Sequence, residues 1–570
     1  MTLPIRFSSA VAAAACLALC GNCPGAGDAT WIHLRSPDFE VYSSAGPGAT
    51  RETLRHFEFV RGFFQQALGD SAAKRPPVYL VVFGSMKEYA RYRSHDWEAA
   101  SYQRSSERDF IVVGNPAEAA FSTAVHEYFH LWARRQKLDL PIWLNEGLAQ
   151  LYSTLTPTLG GLVVGDVPPG FGSYVSRYGW IPLGTVLAAR EYPASDKDAE
   201  VSDFYLESWA LTHMLELSAD YRGGAPKILP AIQAGMSSEQ ALTKIYGRPL
   251  SGVEADLRAY LRDIGSRHEV YRIKLPKAPK AEAIEPASEF DRRLVLLQLV
   301  ERRNRTDEVR KELEALAALD PKRPEPHADL GVLMANRGDA AAARAEYRKA
   351  FDLGGLGPDL LWDYAGMLRD NPPEAMEVLG RLLRLDPGRG AARLELVRMQ
   401  LAAGQASAAL DTLAAIHDAG ASDAAAYFQL LARANLAAGR GAASAQAARE
   451  WQRTAGDEEE QSEAARFLAA LDGSRAGRTP APERRSIEGR LIAVDCRDSG
   501  ATLTVETAAG NRSFMVRDSS RVTVLAADSG LTIMACGMLR RPVPVRIEYA
   551  RPLADAPGVD GVVKLIEFRR

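Results

Sequence analysis

Between Trp31 and Gly114 the apolar positions first alternate, then recur at helical spacing, then alternate again. DFEVYSS predicts a strand, Ala49 to Leu68 an amphipathic helix, and PVYLVVF a second strand flanked by Pro and Gly. A third apolar strand, Phe110 to Val113, precedes Asn115-Pro116 and a helical stretch from about Ala117 to Lys137. Helical periodicity returns over 141–154, 203–219, 224–234 and 237–265, so an α+β lobe is expected over 30–270. RIKLPKAPKAEAIEP then changes character: Lys, Pro, Ala and Glu cannot bury a core, and a linker is expected over 271–287.

From 288 to 472 the chain is rich in Ala and Leu, with turn residues at Asn304, Gly338, Asn371, Gly404 and Gly439, spaced by 34, 33, 33 and 35 residues. A period near 34 is that of paired helices in a solenoid. In PHADLGVLMANRGDAAAARAEYRKAFDLG, residues Leu330, Gly331, Gly338, Ala343, Tyr347 and Ala350 fill the apolar and small positions of such a unit. The segment resembles the tetratricopeptide (TPR) repeat, which implies an all-α solenoid with a protein-binding surface; an unrelated Ala-rich helical bundle is the other reading.

A second linker is expected over 473–484, around SRAGRTPAPE. From 485 to 570 short alternating runs such as GRLIAVDC, ATLTVET, VPVRIEYA and VVKLIEF are separated by Gly, Asp, Asn and Pro, which predicts a small β barrel or sandwich.

Composition adds limits. Hydrophobic content of 46% and charged content of 25% are those of globular domains, and 570 residues require several of them. A net charge of −3, with no basic run interleaved with aromatics, gives no footprint for nucleic acid. The first 29 residues differ: Arg6 precedes the small, apolar run SSAVAAAACLALC, and Gly/Pro/Ala-rich sequence follows, the pattern of a secretory signal peptide. Export to the periplasm or exterior is expected, with no transmembrane segment left in the mature chain; a lipid anchor is disfavoured because Cys20 follows Leu19. Outside this segment only Cys496 and Cys536 remain, and in an oxidising compartment they can pair, the alternative being two buried thiols.

The chemistry concentrates in His126-Glu127-Tyr128-Phe129-His130. Residues four apart share one helical face, so His126 and His130 can converge on a single Zn²⁺, while Glu127 stands beside the open position as a general base. A third ligand is expected downstream, and Glu146, on the helix that follows Pro141, is the choice. The competing readings are a solvent-facing histidine pair and, for Glu146, an exposed acid near a helix start.

With H-E-x-x-H followed, after fifteen intervening residues, by Glu146 within W-L-N-E-G-L-A, the chain resembles the gluzincins, zinc peptidases of the peptidase-MA-like kind, over about residues 30 to 265. That resemblance implies a thermolysin-like α+β domain and a His₂Glu site formed by His126, His130 and Glu146, with one Zn²⁺ per chain. It also implies Tyr205 as donor to the tetrahedral oxyanion, with Ser208 where the family's Y-x-x-G has Gly; His213 is the weaker candidate and a plain core Tyr205 the other reading. Gln150 stands where thermolysin-like relatives carry an Asp behind the first His, which implies a less basic ligand. No G-x-M-E-N segment precedes the zinc helix, so an endopeptidase is expected, with Phe110 to Val113 as the strand that pairs substrate. The function anticipated is a secreted zinc metalloprotease whose repeats recruit polypeptides. Two alternatives stand beside it: a TPR interaction scaffold with a weakly active or inactive zinc-binding domain, and a hydrolase acting on another amide.

Overall fold

A computed structural model describes residues 30–569 except 70–75, 94–97, 106, 117, 137, 159–160, 168–179, 190–197, 222, 234–235, 273–282, 301–305, 417–419, 474–483, 498–499, 518–521, 526–536 and 554–557. The signal segment expected over 1–29 thus lies outside the described residues. Two compact units form: one holds most of the chain up to Arg292, and the other holds 104–107, 229–241 and everything from Arg293 on.

The first unit is α+β. Strands β1 (Ile32–Arg35), β2 (Phe39–Ser43), β3 (Val78–Val82), β4 (Ala100–Arg104), β5 (Asp109–Val113) and β9 (Glu285–Pro286) form one sheet in the order β4-β5-β3-β2-β1-β9. Its centre is parallel, β2 to β3 to β5, and β1 and β9 join antiparallel. Strands β2 and β5 are buried throughout, and Phe110 to Val113 of β5 form the continuous apolar run of a covered parallel strand. Helix α1 (Gly46–Ala67) lays Phe57, Val60, Phe63 and Phe64 into the core, each fully buried and each worth about 1.5–3 kcal/mol in transfer terms.

Three expectations change here. Strand β5 lies between β4 and β3 and has no free edge, so Phe110 to Val113 cannot pair a substrate strand; the sheet's edge is β4. ASYQR is short and polar, and its pattern gave no strand signal. The predicted linker also contributes to the lobe: Glu285 and Pro286 pair with His33 and Ile32. The helix expected over 237–265 is interrupted at Gly247, whose φ of +63° ends one helix, Ser238–Tyr246, before Pro249 precedes the next, Leu250–Tyr260.

In the second unit, helix pairs repeat. Gly338, Gly404 and Gly439 have φ of +79°, +74° and +73°, and in each case the next residue's N–H reaches a carbonyl five residues back: Asp339 to Met334, Gln405 to Gln400, Arg440 to Asn435. This is the C-terminal motif that glycine permits. Asn371 turns differently, with φ of −131° and its side-chain amide on Glu374; Asn304 lies outside the described residues. Gly331 is required by packing, because a Cβ there would stand 2.5 Å from the buried Tyr347 ring.

The C-terminal strands, β10 (Arg485–Arg497), β11 (Gly500–Thr507), β12 (Gly510–Val516), β13 (Thr523–Leu525), β14 (Gly537–Ala550) and β15 (Gly561–Phe568), run in the order β12-β11-β10-β14-β15-β13. A parallel pairing of β12 with β15 closes the sheet, so the module is a barrel. Alternate residues, among them Leu503, Val505, Phe514, Ile547 and Ile566, fill its interior. Cys496 is disulfide-bonded, and Cys536 lies outside the described residues.

Most of the second expected linker, 474–483, lies outside the described residues, but the last repeat helix and the barrel touch directly. Asp457, only 2% exposed, caps the last helix of the repeats (Glu458–Leu471) through the N–H of Glu460 at 2.9 Å, and Lys564 of β15 donates to it at 2.9 Å. The Glu460 carboxylate accepts the N–H of Gly456, the residue before the cap, and Glu458 N–H donates to the Arg551 carbonyl.

Candidate metal centre

Helix α3 (Glu118–Arg135) has two faces. Tyr128 and Phe129 pack against Phe57 and Phe64 of α1, with ring centroids 5.4–6.3 Å apart, which fixes the rotation of α3 about its axis. His126 and His130 then share another face, their ring centroids 4.8 Å apart.

Glu146 meets them from helix α4 (Ile142–Tyr152). Its Oε2 lies 3.1 Å from Nε2 of His126 and 3.6 Å from Nε2 of His130, and the three ligand atoms all fall within 4.8 Å of one another. Donors about 2.0–2.1 Å from one tetrahedral ion stand roughly 3.3 Å apart. The two Glu146 distances are close to that separation, and two imidazoles with one carboxylate are a donor set that could hold a metal ion such as zinc. Glu146 is 1% exposed, which is incompatible with a surface acid placed for the helix dipole.

Gly147 explains how α4 comes so close to the long helix Asp198–Leu217. A Cβ on Gly147 would lie 2.1 Å from Thr212 Oγ1 and 2.4 Å from the Ser208 carbonyl oxygen. Gly147→Ala is expected to cost about 1–3 kcal/mol and to weaken zinc retention, because the displaced helix carries Glu146. Thermal melting with and without zinc measures both, and an unchanged pair of values would refute the crossing as the determinant.

That same long helix brings Tyr205 to the site, its ring 6.3 Å from that of His126. Burial, with the Glu146 and Glu127 carboxylates adding to it, pushes the phenol up, so it remains an O–H donor at neutral pH. His213 stands elsewhere: fully buried, it bonds through Nδ1 to the Tyr260 hydroxyl and through Nε2 to the Gly165 carbonyl, both at 2.8 Å, which makes it a packing group.

Glu127 is half-buried beside the ligands, and its Oε2 accepts the backbone N–H of Tyr102 at 3.0 Å. Burial raises its pKa above the ordinary carboxylate value, against the lowering effect of the histidines and that N–H. A carboxylate so shifted is a stronger base. Tyr102 was not anticipated, since a backbone donor leaves no residue-type signature. Nδ1 of His130 is buried without a hydrogen-bond partner among the described residues.

Electrostatics tie metal uptake to pH. Burial pulls His130 down, but its hydrogen bond to and charge attraction by Glu146 outweigh this and raise it to about 9. Burial pushes Glu146 up, yet the two histidines hold it well below the usual range. In the zinc-free protein the raised His130 contributes stability that is full below its ordinary value near 6.5 and lost as pH climbs through about 9. A zinc ion bound here would have to displace that proton, so affinity is expected to rise between pH 6 and 9, with about one proton released per zinc at pH 7. Calorimetry in buffers of different ionisation enthalpy reads this directly; buffer-independent heats would contradict it.

Among known proteins, the tetratricopeptide repeat family profile matches residues 367–434. The helical region thus contains TPR repeats, which stack into extended surfaces that bind other proteins. Solved structures similar to the chain include YrrB, a TPR protein with an unusual peptide-binding site, at 15% identity over 30% of this chain and 93% of that one, TM-score 0.25. PilW, a widely conserved type IV pilus biogenesis factor, is 18% identical over 33% of this chain and 89% of its own, TM-score 0.23. A tetratricopeptide repeat protein from Parabacteroides merdae is 11% identical over 54% of this chain and 100% of its own, TM-score 0.20. No curated protein matches the chain. Among the described residues no helix is long and apolar enough to cross a membrane.

Proposed function

We propose that the first unit is a zinc-dependent metallopeptidase of the gluzincin kind and that the TPR repeats recruit its polypeptide substrates. The observation that carries this reading is the convergence of His126, His130 and Glu146 with Glu127 set beside them. Zinc held by the three ligands would supply Lewis-acid polarisation of the peptide carbonyl and of water. Glu127 takes the proton of the attacking water and delivers it to the amine nitrogen as the C–N bond breaks. Tyr205 donates its O–H to the oxygen that becomes negative in the tetrahedral stage. Edge strand β4 offers backbone groups for an extended chain, which suits cleavage within a polypeptide. The disulfide at Cys496 supports an exported protein, in keeping with the N-terminal pattern.

A second reading has its own support. The family match falls on the repeats, and Nδ1 of His130 lacks the partner that strengthens a zinc ligand, so the chain can instead be a TPR scaffold whose zinc domain turns over slowly or not at all. Zinc content and cleavage of an internally quenched peptide library, before and after treatment with a chelator, separate the two. One zinc per chain with chelator-sensitive internal cuts supports the peptidase. One zinc without cleavage supports the scaffold, and absence of zinc defeats the metal reading in both.

A further inference from the structure

Asp109 opens β5 and is 9% exposed. Its carboxylate gathers three donors. Arg134 reaches Oδ1, Arg135 reaches Oδ2 through Nε at 3.2 Å and through its terminal nitrogen at 3.0 Å, and the Tyr102 hydroxyl donates to Oδ1 at 2.8 Å. Both arginines are on the last turn of α3, the helix that carries His126, Glu127 and His130. The Arg134 guanidinium also stands 6.0 Å from the centre of the Tyr102 ring. Tyr102 is therefore gripped at its far end by a charged cluster centred on the buried Asp109, while its backbone N–H, on the sheet's edge strand, donates to Glu127.

We infer that Asp109 is a positioning residue for the general base, acting through Tyr102 and resting on the reading of Glu127 as that base. The arrangement has a physical purpose. An edge strand is held on one side only, so β4 can shift by fractions of an ångström along or away from β5. Anchoring the Tyr102 side chain to the end of α3 ties strand and helix together across the site, and the N–H that orients the carboxylate keeps its place. Charge-assisted hydrogen bonds to a buried carboxylate are the strong kind, suited to this. A base displaced by about 1 Å loses on the order of 10²-fold in rate.

Tyr102→Phe deletes only the hydroxyl and leaves the ring in place; Asp109→Asn removes the charge at constant size. In both variants faster hydrogen exchange of the Tyr102 amide is expected, with zinc still at one per chain. For Tyr102→Phe, kcat should fall about 10–100-fold with KM and the melting temperature nearly unchanged, a split that a purely structural role does not produce. Wild-type exchange at the Tyr102 amide in Tyr102→Phe, or wild-type kcat alongside accelerated exchange, would overturn the inference. If the wild-type protein cleaves nothing, the peptidase reading fails, and amide protection alone then decides whether Asp109 holds the strand.

Discussion

Glu127→Gln is expected to retain one zinc per chain and to lose roughly 10²–10⁴-fold in kcat. Glutamine keeps the shape of glutamate and an oxygen that can still accept the Tyr102 N–H, so strand β4 and the ligand geometry persist. What vanishes is the capacity to take a proton from water, and Glu146, the other carboxylate of the cluster, is a ligand in this reading. KM should move little, because the change removes a proton acceptor used in the reaction and no contact that holds substrate. Metal analysis beside peptide hydrolysis checks it: equal turnover in the two proteins would remove Glu127 from the mechanism.

Glu146→Ala acts at an earlier step. Two buried imidazoles remain, no longer compensated by a carboxylate, and zinc loses its only anionic ligand. Affinity is expected to fall by more than the roughly 10–100-fold that outer-shell changes cost. The raised pKa of His130 should also disappear, since hydrogen bonding to and charge attraction by Glu146 are what lift it against burial. Competition against a chromogenic chelator at pH 7 measures the first, and NMR titration of the zinc-free histidines the second. Affinity equal to the parent's would assign Glu146 a structural role only.

Much of the site was legible because its logic is local. His126 and His130 are four residues apart on one helix, and helical geometry alone puts them together. Glu146 was legible through its setting, a short helix after Pro141 with Asn before it and Gly after it. Gly147 and Tyr102 were not, for opposite reasons: Gly147 matters through what its missing Cβ would strike on a helix sixty residues away, and Tyr102 matters through its main chain. The misassigned substrate strand has a similar cause. Phe110 to Val113 is the most apolar run near the zinc helix, but that apolarity reflects burial on both faces in the sheet interior, whereas the edge is the polar ASYQR. In the repeats the period near 34 was visible because glycine must recur wherever the chain reverses with positive φ. The barrel's closure was not, as a parallel pairing between β12 and β15 has no local signature.

The Asp457–Lys564 pair bears on how the C-terminal half would respond to damage. Breaking one partner of a buried ion pair costs about 3–5 kcal/mol, and here the partners belong to different modules. A protease nick within 474–483 would sever the backbone without freeing the barrel, because helix cap, ion pair and main-chain bonds remain. The two fragments should co-purify and melt in one transition. Lys564→Ala in the nicked protein should let them part, which makes this junction a natural point for reconstituting the protein from two separately expressed pieces.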